Sequence, residues 1–164
     1  MSDEKSYQPL PSSIILQIIA SGSEEQVQSL INQNIIPRRT LYLFTAAQYG
    51  RLNVVQYILE GRRLHDALNT ALRFAVIYGH LNIVQYLVEE GANIHANDEE
   101  VLRIAVENNH LNIVRYLIGQ GADFNYIVNE SDEDTVFDAL GINQDVDLPS
   151  IDGTSSDSDS EYDY

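Results

Sequence analysis

Three stretches of the chain repeat almost word for word: Gly50-Arg51-Leu52-Asn53-Val54-Val55-Gln56-Tyr57, Gly79-His80-Leu81-Asn82-Ile83-Val84-Gln85-Tyr86 and Asn109-His110-Leu111-Asn112-Ile113-Val114-Arg115-Tyr116. They lie 29 residues apart from Gly50 to Gly79 and 30 from Gly79 to Asn109. A period of that length belongs to stacked supersecondary units, far from the heptad of a coiled coil. Each copy is preceded by an apolar residue and a small one at fixed distance: Leu43 with Ala46, Leu72 with Ala75, and Leu102 with Ala105. The pattern predicts two short helices per copy. The first buries its Leu and Ala, the small Ala letting a neighbouring helix come close, and the second buries an i, i+3, i+6 set such as Leu81, Val84 and Leu87. Neither helix can hide its apolar face alone. Stacking on the next copy removes that surface from water, at about 25 cal/mol per Å², so the copies are expected to fold as one array.

The turns after the second helix, Gly91-Ala92-Asn93-Ile94 and Gly121-Ala122-Asp123-Phe124-Asn125, resemble the hairpin entry of ankyrin repeats. The resemblance covers roughly residues 14 to 128 and is strongest from Leu43 to Asn125. Where that family usually has Thr-Pro-Leu-His, this chain has Leu41-Tyr42-Leu43-Phe44, Thr70-Ala71-Leu72-Arg73 and Glu100-Val101-Leu102-Arg103, and only the Leu is kept. These departures resemble the degenerate repeats of large DNA viruses of amoebae. A weaker copy runs from Ile14-Ile15-Leu16-Gln17-Ile18-Ile19-Ala20-Ser21-Gly22 into Val27-Gln28-Ser29-Leu30-Ile31, with Gly22 placed 28 residues before Gly50. The expected fold is an all-α ankyrin solenoid of four repeats, near 12–39, 40–68, 69–98 and 99–128. A flexible segment 1–11 precedes it, and the first repeat serves as N-terminal cap, atypical as solenoid ends are.

Charge separates the array from the C-terminal segment. Residues 129–164 hold 12 of the 25 Asp and Glu and none of the 9 basic residues, whereas residues 1–128 carry 13 acids against 9 bases, a net of −4. Thr154-Ser155-Ser156-Asp157-Ser158-Asp159-Ser160-Glu161-Tyr162-Asp163-Tyr164 has little to bury, so residues 143–164 are expected to be a disordered acidic tail. Ser156, Ser158 and Ser160 each have an acid three residues on, as does Thr154, which resembles substrates of acidophilic kinases; phosphate there would add about −1.5 to −2 charge per site. Within 129–142, Asp134-Thr135-Val136-Phe137-Asp138-Ala139-Leu140-Gly141 predicts a short helix. It is either a truncated repeat capping the fourth copy or a partner-binding helix.

The composition excludes several chemistries. With no Cys there is no disulfide, thiolate metal site or cysteine redox chemistry. The longest apolar run, Ile14 to Ala20, is interrupted by Gln17 and too short to span a bilayer, and Met1-Ser2-Asp3-Glu4 carries no basic leader. An intracellular protein is expected, cytoplasmic or nuclear, in the host cell if its origin is viral. The histidines fall at 65, 80, 95 and 110, but this interval of 15 reflects two repeat positions, not converging ligands. No Gly-rich phosphate loop, Gly-x-Ser-x-Gly elbow or paired catalytic carboxylates are present. No enzyme activity, cofactor or metal is expected. A net charge of −16 disfavours nucleic acid as partner.

The resemblance also implies where a partner would sit. In ankyrin repeats the two residues after the small pair of the first helix face the concave groove, and here these are Gln48-Tyr49, Ile77-Tyr78 and Glu107-Asn108. Tyr joins a large rigid face to a hydroxyl and is enriched at binding hot spots; alternatively Tyr49 and Tyr78 pack on each other as structural ribs. Tyr57, Tyr86 and Tyr116, on the second helices, read as core or convex surface. The pairs Arg38-Arg39 and Arg62-Arg63 come after second helices and are expected at one basic edge suited to carboxylate or phosphate, or else as solvated charges or docking points for the tail.

The expected partner is a protein, with the tail as a second contact for a basic protein such as a histone, and the chain is expected to be a monomer. Leu10-Pro11-Ser12-Ser13-Ile14-Ile15-Leu16-Gln17-Ile18-Ile19 also resembles the opening of an F-box, which would make a ubiquitin-ligase adaptor. Asn125, with Leu117 and Asp123 before it, resembles a site of asparaginyl hydroxylation.

Overall fold

Helices pair around the turns that the repeated octapeptides mark. The structure is a computed structural model, and it describes residues 10–61 and 64–124. Eight helices and no strand occur among these residues: α1 (Ser12–Ser21), α2 (Glu24–Asn32), α3 (Thr40–Gln48), α4 (Leu52–Leu59), α5 (His65–Ile77), α6 (Leu81–Glu89), α7 (Ala96–Glu107) and α8 (Leu111–Gly119). Odd-numbered helices pack in one row, α1 on α3, α3 on α5 and α5 on α7. Even-numbered helices form the second row, and each odd helix packs on the even one next in the chain. This is the all-α solenoid of helix pairs that the period predicts. The expected tail, capping helix and segment 1–9 lie outside the described residues.

The core is the seam between the two rows. Leu43, Ala46, Leu72, Ala75, Leu102 and Ala105 are all completely buried, and Ala47 and Ala71 join them, so small side chains line the approach between first helices. On the second helices the buried set is Ile83, Val84 and Leu87 on α6, matched by Ile113, Val114 and Leu117 on α8. Leu81 is only half-buried, contrary to the expected spacing. It is the first residue of α6, where the helix starts at the edge of the seam, and Ile83 takes the interior place.

Both helices of a repeat are closed by the same cap. At the end of α5, Gly79 adopts φ +76° and His80 N–H donates to the Ala75 carbonyl at 2.9 Å; after α6, Gly91 adopts φ +95° and Ala92 N–H donates to the Leu87 carbonyl at 2.9 Å. This six-to-one bond around a left-handed residue satisfies carbonyls that a helix end leaves unpaired. Asn109 takes the left-handed role in the fourth pair with φ 57°. Gly22 does not. Its backbone is extended, φ −72° and ψ 160°, and a Cβ there would stand 2.5 Å from the Ile18 carbonyl oxygen, so close approach and not turn handedness accounts for that glycine. The first pair therefore departs from the others at its turn.

One repeat position ties each pair to the one before. Arg51, His80 and His110 precede α4, α6 and α8. Arg51 Nε donates to the Ile19 carbonyl at 2.9 Å and its Nη2 to the Gly22 carbonyl at 2.7 Å. His80 Nε2 reaches the Gln48 carbonyl at 2.9 Å, and His110 Nε2 the Ile77 carbonyl at 3.0 Å. Each imidazole lies against the glycine of the preceding turn: a Cβ on Gly50 would be 2.9 Å from the His80 ring, and one on Gly79 would be 2.7 Å from His110 Cε1. The sequence has no histidine after His110, and Asn109 fills the place that Gly50 and Gly79 hold earlier.

Ahead of the fourth pair the backbone is strained. Asn97, Asp98 and Glu99 are all left-handed, with φ of 54°, 55° and 57°, inside the span of α7. Glu99 is 7% exposed. Its Oε1 pairs with His95 Nδ1, whereas its Oε2 is buried without a hydrogen-bond partner among the described residues.

Candidate partner-binding groove

The six predicted groove residues occupy one structural place three times. Gln48, Ile77 and Glu107 are the last residues of α3, α5 and α7, and Tyr49, Tyr78 and Asn108 cap those helices. The Gln48 and Ile77 carbonyls are the ones held by His80 and His110, so the lock between repeats also fixes where these residues stand.

Tyr49 and Tyr78 are each 47% exposed, an unusual state for so large an apolar ring. Tyr78 accepts a hydrogen bond from Gln48 Nε2 at 2.9 Å, which links the second and third repeats at the surface. Among the described residues the stacked aromatic pair is Phe44 and Phe74, not the two tyrosines; its centroids are 5.9 Å apart and its planes at 28°. Leu41, 55% exposed, extends the apolar strip along α3 one turn before Phe44. Towards the fourth repeat the surface becomes polar: Arg73 Nη2 pairs with Glu100 Oε1 at 2.9 Å, Asn108 Nδ2 donates to the Ile104 carbonyl at 2.8 Å, and Glu107 is exposed. The first-helix row thus offers an aromatic half on α3 and α5 and a charged half on α5 and α7.

The basic pairs fare differently. Arg38 is engaged within the chain: its Cζ lies 4.6 Å from the Tyr57 ring centroid, and its guanidinium donates to the Glu60 carbonyl at 3.0 Å and carboxylate at 3.1 Å. It therefore reaches the second-helix row. Arg39 is exposed ahead of α3. Arg62, Arg63, Asn125, Ser156, Ser158 and Ser160 lie outside the described residues. In the F-box-like stretch, Ile15 and Ile19 are buried, and their helix packs on α3 as the first helix of the first pair.

Sequence reasoning missed the Arg51, His80, His110 lock, although a hydrogen-bond donor at one position of three copies is a signal for it. It missed the Phe44–Phe74 stack because those residues are out of register by one repeat position: Phe44 aligns with Arg73, and Thr45 with Phe74. Among the described residues no three acidic or imidazole groups converge to hold a metal, and no helix is long and apolar enough to cross a membrane.

A family model described as ankyrin repeats in three copies matches residues 43–128. No curated protein matches the chain. The match covers the second, third and fourth helix pairs and leaves out the first, which the structure nevertheless packs in the same two rows. With the helix pairs, their left-handed turns and this match over more than half of the sequence, the chain belongs to the ankyrin-repeat family.

Proposed function

We propose that this protein is a non-enzymatic interaction module that binds a protein partner along the first-helix row, with Tyr49 and Tyr78 as anchors and Gln48, Ile77, Glu107 and Asn108 beside them. Ankyrin repeats are generally protein–protein interaction modules and the family is typically non-enzymatic. The observation that carries the site is the exposure of two tyrosines, 47% each, at one position of successive repeats whose backbones are locked together. A rigid ring that is already ordered loses little entropy on binding. Arg39, exposed at the start of α3, adds a cation at the opposite end of that helix from Tyr49, and the acidic tail supplies a second, salt-sensitive contact for basic surfaces. The working form is a monomer inside the cell, cytoplasmic or nuclear.

Two other readings fit the sequence. A ubiquitin-ligase adaptor would need Leu10 to Ile19, yet Ile15 and Ile19 already serve the core. A histone or other basic-protein binder would act through the tail alone. Affinity capture from cell lysate separates the groove from the tail with the full chain, residues 1–128, and the double variant Tyr49→Ala/Tyr78→Ala as baits, and a bait lacking residues 1–20 that keeps its fold but loses ligase components would mark the adaptor. A partner kept by residues 1–128 and lost with the two tyrosines supports the groove. One that depends on the tail and weakens with salt makes the tail the main contact.

A further inference from the structure

The second-helix row carries its own tyrosine ladder. Tyr57, Tyr86 and Tyr116 hold one position in α4, α6 and α8 and are all half-buried. Between the first two is a hollow lined by Ile31, Gln56, Tyr57, Glu60 and Tyr86. Its near side already holds a guanidinium: Arg38 lies over the Tyr57 ring and donates to both the carbonyl and the carboxylate of Glu60. Ring face, carboxylate and carbonyl are together the three elements that recognise arginine.

The far side, at Tyr86, has the same ring with more acid. Glu89 and Glu90 end α6 and are exposed, and Glu60 faces the same ring from the previous repeat. Burial first, and then the negative charge of Glu90, Glu60 and Glu89, raises the Tyr86 hydroxyl above the ordinary tyrosine range, with Glu90 also accepting its hydrogen bond. The Tyr116 hydroxyl is raised by burial and by Glu89. The fourth repeat has Gly119 and Gln120 where the third has Glu89 and Glu90, so the acidity centres on α6.

We propose that the face formed by Tyr86, Glu89 and Glu90, beyond the Glu60 that Arg38 occupies, binds an arginine side chain presented by a basic segment of a partner protein, as Tyr57 and Glu60 hold Arg38 within the chain. A planar guanidinium stacks on the ring and forks onto a carboxylate at once, whereas an ammonium does one or the other. The acidic tail cannot be the occupant, since residues 129–164 contain no Lys or Arg. This surface is on the opposite row of helices from the tyrosines of the groove and does not depend on them.

The test uses the full chain and a fluorescent Gly-Ser peptide carrying two arginines, with binding read by anisotropy at low salt. Tyr86→Leu, and separately Glu89→Gln/Glu90→Gln, should each weaken binding about five- to tenfold. A peptide with lysine for arginine should bind several-fold more weakly, and Tyr49→Ala/Tyr78→Ala should bind like the parent. The carboxamide pair is at exposed positions, so it decides the matter even where Tyr86→Leu perturbs the fold. Binding unchanged in both sets places the peptide on the tail and overturns the proposal. Tighter binding by Arg62→Ala/Arg63→Ala would make the occupant the chain's own arginines, and it too would overturn it.

Discussion

Gly79→Ala tests the lock between repeats. The substitution meets two separate costs. An L residue at φ +76° costs about 1–2 kcal/mol. The new Cβ would also stand 2.7 Å from His110 Cε1 and 3.0 Å from its Nδ1, distances that force the imidazole away. Displacing it breaks the 3.0 Å bond from Nε2 to the Ile77 carbonyl, and a part-buried carbonyl left unpaired costs about 1–3 kcal/mol. The single variant should therefore lose about 2–5 kcal/mol in urea unfolding monitored by circular dichroism. His110→Ala removes the same bond and also the obstacle, at about 1–3 kcal/mol. In that background Gly79→Ala should cost only its backbone part, so the double variant should be less damaged than the sum by about 1–3 kcal/mol. Additivity within about 0.5 kcal/mol would refute the reasoning, because it would mean that the glycine serves the turn alone.

Further predictions concern other positions. Arg51→Ala removes two charge-assisted bonds to the first pair and should cost about 2–4 kcal/mol, with amide exchange rising in α1 and α2 before α7; uniform acceleration would contradict a local clip. The Tyr86 and Tyr116 hydroxyls are raised above 10.0, so the folded chain keeps protons that the unfolded chain has released. Their contribution to stability is then complete below about pH 10 and lost as pH rises through the folded values, and Tyr86→Phe should flatten that decline in alkaline unfolding curves. Asp98 is exposed at φ 55°, so Asp98→Gly should be more stable than Asp98→Ala by about 1 kcal/mol; the reverse order would mean the segment is ordinary helix.

Much of the fold is legible in the sequence because a repeat reports each structural place several times. Leu43, Leu72 and Leu102, with their alanines, announce the buried face of the first helix, and all six are completely buried. The glycine and asparagine turns announce helix ends. The misjudged positions each depend on a neighbour in space. Spacing alone puts Leu81 in the core, but the helix begins at Leu81, so the seam is reached two residues later, at Ile83. Gly22 looks like Gly50 by distance along the chain, yet its glycine requirement comes from the Ile18 carbonyl. Of the candidate site, the repeat register points to the places of Tyr49 and Tyr78. That Tyr78 bonds to Gln48, and Arg38 turns towards Tyr57 and Glu60, depends on contacts between residues 30 and 22 apart that no local pattern encodes.

The most direct test of the groove is site-specific photo-crosslinking in cells. A photoreactive phenylalanine analogue is placed in the full chain at Tyr49, at Tyr78 or at Gln28, an exposed residue on α2 in the other row. The account predicts one and the same protein crosslinked from positions 49 and 78 and not from 28. A partner trapped from position 28 alone, with nothing from either tyrosine, would contradict it.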